Sequence, residues 1–292
     1  MRKLLMPLGV VAVAMLVLAS GALARQTNGF VRGRVELRML ARERVAGPAW
    51  VLRNLTGSRE HGDGGSQGGV RTRSRTFNCN GTFSGITVRN LVVGPSGVCL
   101  LTDSVVRGHV EVQSNGDFEA GNTSIGGNVT GDHALTVYLY DGSNVGGRLN
   151  TRGTAQVFAF NSAVGNRINV IGSSTQVFLC NNTVGHGIAV VQSASNILVG
   201  DHLDPSCAGN VVQHGNVVVS QNATDVELVV GDNSVLDGSM FVTDNTGAPD
   251  FTSGESVLGN QGGHTLACRD NASPFVGSPN PGWSHYSGQC SA

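Results

Sequence analysis

Lysine is nearly missing from this chain: none follows Lys3, and positive charge rests on arginine. Charged residues of both signs make up only 13% of the chain, against about 25% in an ordinary soluble domain. Aromatic residues are scarce, at 5%. With 42 glycines, that composition suits narrow turns between short strands and argues against a helix bundle. No apolar run after the first two dozen residues is long enough to span a bilayer. No Ser-His-Asp pattern, zinc-ligand spacing or phosphate-binding loop stands out; the glycine-rich stretches read as turns.

Residues 1–24 have the composition of a secretory signal. Arg2 and Lys3 supply the charge, Leu4 to Leu18 the apolar run, and Ala22-Leu23-Ala24 the small-residue cleavage site. The other reading of this stretch is an uncleaved anchor. A secreted, extracellular or cell-surface chain is therefore expected, with no membrane span after cleavage. Six cysteines in an oxidising compartment point to three disulfides. Six cysteines allow about 15 pairings. Proximity along the chain favours Cys79 with Cys99, Cys180 with Cys207 and Cys268 with Cys290.

Charge is unevenly spread. Arg25 to Arg75 holds 11 arginines against Glu36, Glu43, Glu60 and Asp63. From Thr76 on, 6 arginines face 16 acidic residues. A basic arm usually suggests nucleic acid, but secretion argues against that partner. The arm is expected to touch an anionic surface polymer or the acidic body of its own chain. Residues 25–76 read as a leader or loose cover, with a short helix over Arg34–Val45 and a glycine-rich linker over His61–Gly69.

The body repeats itself. Ser124-Ile125-Gly126-Gly127-Asn128-Val129 returns as Asn144-Val145-Gly146-Gly147-Arg148-Leu149, as Ala163-Val164-Gly165-Asn166-Arg167-Ile168 and as Thr183-Val184-Gly185-His186-Gly187-Ile188. Between these copies lie second strands, such as Leu135 to Tyr140 and Ala155 to Phe160. Phe118, Val137, Val157, Val177 and Ile197 are spaced 19, 20, 20 and 20 residues apart. A unit this short cannot bury an apolar face alone and must stack on its neighbours. The expected fold is all-β: a right-handed parallel β-helix of about 20 residues per coil, spanning residues 77–262. Seven to nine coils at about 4.8 Å each would give a rod of roughly 35–45 Å. Residues 263–292 are expected to form a disulfide-stapled cap, because an open end would expose strand edges.

The Val-Gly-Gly-Asn-Val repeat, the early cysteine pair and the closing Asn280 … Gly288-Gln289-Cys290 resemble the secreted right-handed β-helix repeat proteins of actinobacteria. That resemblance implies the fold and no established activity. The string Gly185-His186-Gly187-Ile188 is similar to one element of polygalacturonases, which are also β-helices. Their paired carboxylate elements and their Arg-Ile-Lys element have no counterpart here. His186 falls on a variable repeat position and is not assigned as catalytic.

Two other sets of residues stand out. Asp201-His202-Leu203-Asp204 opens an insert that breaks the period, and insertions in solenoids are often functional. Asp201, Asp204 and Asp232, with Asp225 near by, offer oxygen ligands for Ca²⁺. The structural reading is that Asp and Asn in turns bond their own backbone. The second set follows from parity. If Val137 and Leu139 point inward, then Tyr138, Tyr140, Phe158, Phe160 and Phe178 point outward in two columns. Such a strip would suit a sugar or a protein partner. The alternatives are that a segment covers it or that the rings fill the core.

The functional expectation is a non-enzymatic, secreted β-helix protein with a cell-surface, scaffold or binding role, touching glycan or protein. The competing expectation is a polysaccharide lyase or hydrolase using the Asp201–Asp232 region. End-to-end polymerisation through the solenoid core is a third, opposed by the stapled ends.

Overall fold

The structure is a computed structural model. It describes residues 76–292 except 203, 225, 248–254, 273–274, 278 and 292. The signal segment, the short helix and the glycine-rich linker expected before residue 76 lie outside the described residues.

The described chain is an all-β parallel solenoid. Three sheets run its length, with eleven strands (sheet I), ten (sheet II) and nine (sheet III). In one coil the path runs from Asn144–Val145 in sheet III to Leu149–Arg152 in sheet I, then to Gln156–Phe160 in sheet II, and returns to Ala163–Val164 in sheet III. Each strand pairs in parallel with the strand one coil away, as Val137 does with Val157 and Val157 with Val177. The stack is longer than the expected seven to nine coils, because sheet I starts at Thr76–Cys79 and runs on into the tail. Thr265–Arg269 and His285–Gly288 are its last two strands. Trp283 closes that end, 5% exposed, with its indole N–H donating to the Asn260 carbonyl (3.1 Å).

Alternation supplies the core. Val137, Leu139, Val157, Ala159, Val177 and Leu179 are fully buried in one continuous interior cluster. Two corners of each coil need a left-handed residue. Between sheets II and III that place is held by Asp103, Asn122, Asp141, Asn161, Asn181, Gly200, Asp232 and Gly259, all with φ between 46° and 69°. Asn, Asp and Gly tolerate this conformation best. The third corner, between sheets III and I, carries the Gly-Gly repeat. A Cβ on Gly146 would stand 2.7 Å from the Gly126 carbonyl oxygen, and one on Gly165 would stand 2.6 Å from that of Gly146. The repeated glycine thus lets successive backbones touch.

Buried polar residues tie the coils together. After the left-handed corner of sheet II come Ser143, Ser162, Asn182, Asn210, Asn233, Asn260 and Asn280 in a column. The Asn182 backbone N–H donates to Asn210 Oδ1 (3.1 Å), and Asn210 does the same to Asn233 (2.9 Å). Asn210 Nδ2 also donates to the Leu179 carbonyl (2.8 Å). A second ladder runs through Ser193, Asn222, Asn245 and Asn271 on the corner between sheets I and II. The disulfides are Cys79–Cys99, Cys180–Cys207 and Cys268–Cys290, the three pairs that proximity favoured.

Candidate binding surfaces

The outward aromatic residues form a cluster. Tyr138 and Phe158 are in register on sheet II, as are Phe158 and Phe178. Their ring centroids lie 5.5 Å apart in both pairs, and Tyr138 meets Tyr140 at 4.8 Å with the rings tilted. Parity places all five rings outside the core, yet they are not a free strip. Tyr138, Tyr140 and Phe158 are buried, and Phe160 and Phe178 are half-buried. For Phe160 and Phe178 the physical reason lies at the end of the columns. The insert Asp201–Gly209 returns to the outer face of sheet II through Cys180–Cys207. Both cysteines form a small outer apolar cluster with Leu198 and Val229, against which Phe160 and Phe178 pack. Tyr140 lies over Gly121, where any Cβ would meet its ring. Among the described residues its hydroxyl has no hydrogen-bond partner, and its pKa is pushed up to about 12, first by burial and then by Glu119, Asp141 and Asp103.

The insert carboxylates have separate tasks. Asp204 caps a short 3₁₀ turn, Pro205–Cys207, accepting from the Ser206 N–H (2.8 Å) and hydroxyl (2.7 Å). Asp232 occupies the left-handed corner and meets His202 Nδ1 at 2.7 Å. Asp201 is buried. Asp225 lies outside the described residues. No three His, Cys, Asp or Glu side chains are arranged to hold a metal ion among the described residues. His186 is exposed on the corner between sheets III and I, 6.0 Å from the ring of His214.

Comparison with protein-family models, with curated proteins and with solved structures gives no match.

That same corner holds the site which sequence reading missed. Arg89 and Arg107 occupy it in the first coils and, with Asn90, Gly108 and His109, line an open depression. Farther along, Asn128, Thr130, Arg148, Asn150, Arg167 and Asn169 line a groove of about 230 Å³. Leu149 pairs with Ile168, so Arg148 and Arg167 stand one coil apart. Asn169 Nδ2 donates to Asn150 Oδ1 (2.8 Å), and the Arg148 N–H donates to Asn128 Oδ1 (2.9 Å). The signal was present in the spacing. Arg89 and Arg107 are 18 residues apart and Arg148 and Arg167 are 19 apart, close to one coil.

Among the described residues no helix is long and apolar enough to cross a membrane.

Proposed function

We propose that this chain is a secreted, non-enzymatic β-helix protein that acts at the cell surface as a scaffold or binding protein, like the actinobacterial repeat proteins it resembles. The observation that carries this reading is the disposition of polar groups. Buried amides and hydroxyls run along the axis, one per coil, and each bonds the next coil: Ser162 to Asn182, Asn182 to Asn210, Asn210 to Asn233. They serve cohesion between coils and do not converge on a point where a bond could be broken. Three disulfides agree with an oxidising, extracellular setting.

One observation favours the enzymatic alternative. His202 and Asp232 form a half-exposed imidazole–carboxylate pair at 2.7 Å, the contact a general base needs. The experiment is incubation of the intact chain with neutral and acidic polysaccharides, with and without Ca²⁺. New reducing ends and unsaturated products are read out. No release is expected from any polymer. Release that Asp232→Asn abolishes would replace the scaffold reading by the enzymatic one.

A further inference from the structure

We propose that the corner between sheets III and I is a binding track for a linear acidic polysaccharide bearing carboxylates. This deepens the binding role proposed above and rests on it. Four of the six arginines from Thr76 onward, Arg89, Arg107, Arg148 and Arg167, stand on this corner, and all are exposed. No carboxylate of the described residues lies within ion-pair distance of any of them; the ion pairs found join histidines to Asp132, Asp232 and Asp237.

Like charges set one coil apart repel each other, and no acid among the described residues pairs with them to offset this. An anion between them would. Arginine is the side chain suited to it, because its planar fork meets a carboxylate with two parallel hydrogen bonds.

Among the described residues, acids mark the other two corners. Asp103, Asp141 and Asp232 sit on the corner between sheets II and III, and Asp244 and Asp270 on the corner between sheets I and II. The acids near the track are Glu111 on the outer face of sheet I, engaged by Gln113 Nε2 (2.9 Å), and Asp237 at its far end, between His214 and His264. A polyanion approaching this acidic body is therefore steered to one edge.

The neighbours of the arginines select the class of polyanion. Thr130, Asn128, Asn150 and Asn169 offer hydroxyl and amide groups, which suit a polymer rich in hydroxyls. No aromatic side chain lines either depression, so bases would find no stacking platform. Arg107 and Arg148 are two coils apart, about 10 Å. A single acid engages one arginine pair, whereas a chain of acidic sugars engages both.

The test is calorimetric titration of the intact, disulfide-bonded chain with oligogalacturonates of two and eight units, in low and high salt. The octamer is expected to bind more tightly than the dimer. Raising NaCl from about 50 to 300 mM weakens it several-fold, as screening requires. Arg148→Gln with Arg167→Gln weakens the octamer about tenfold, as does Arg89→Gln with Arg107→Gln. All four side chains are exposed, so the variants keep the parent's circular dichroism. Absence of octamer binding overturns the proposal, and so does equal binding by the arginine variants. Tighter binding of a single-stranded oligothymidylate overturns it in favour of nucleic acid. Binding and cleavage are read separately. Cleavage without loss in the arginine variants defeats both readings; lack of binding without cleavage defeats only the track.

Discussion

Glu255 is the residue most at odds with its surroundings. It sits on sheet II in the interior column, paired in register with Leu228 on one side and Phe275 on the other. It is fully buried, and among the described residues neither carboxylate oxygen has a close hydrogen-bond partner. Burial pushes its pKa up to about 7, opposed only in part by the backbone of Ala272. A carboxyl that holds its proton more tightly when folded stabilises the fold at low pH. Stability is then lost as pH rises from the unfolded value, about 4.5, and the loss levels off above about 7. Glu255→Gln removes that dependence. At pH 8 the variant should be more stable than the parent by about 1–3 kcal/mol, and near pH 4.5 the two should match. Denaturant melts across this range decide it, and parallel curves for the two chains would refute the burial argument.

At the scale of the coil, the Gly-Gly corner and the left-handed corners use glycine for different reasons, and substitution separates them. Gly146 has no positive φ, but a Cβ there strikes the backbone of the preceding coil. Gly142 has φ +82° and open space around it. Gly142→Ala should cost about 1 kcal/mol through conformation alone. Gly146→Ala should cost more, about 2–3 kcal/mol, because two stacked backbones must part. Equal midpoints in urea would show that the close approach does not matter. This corner also marks what could be read in advance. A 20-residue spacing of Val137, Val157 and Val177 is a statement about register, so sheets, core and disulfides were legible. Whether outward rings stay free depends on what folds back over them. Cys207 and the insert do so at Phe160 and Phe178, which no local pattern announces. Asp232 looked like a ligand because Asp is chemically versatile; the left-handed corner gives it a conformational reason instead. The arginines carried the coil period, but their meaning appears only when the corner places them on one edge.

For the molecule as a whole, each coil is held chiefly by its neighbours, so damage should stay local. The three disulfides test this because they lie at different places. Cys79–Cys99 joins strands of the first coils, Cys268–Cys290 holds the last, and Cys180–Cys207 fixes the insert to the outer face of sheet II. Replacing Cys268 and Cys290 by Ser should free the terminal coil, with faster amide exchange in His285–Gly288 and little change in Leu149–Arg152. Replacing Cys180 and Cys207 should act differently. It opens a loop with a sequence separation of 27 residues, which a chain-entropy account sets at about 3.5 kcal/mol. It also lifts the insert from Phe160 and Phe178 and exposes apolar surface to a hydrophobic dye. The interior column beneath, Val157 to Val177 to Ile197, keeps its register, so exchange there should stay slow. Loss of protection along the full length of either variant would mean that the solenoid unfolds as a single unit, and that its ladders couple distant coils more strongly than contact between neighbours does.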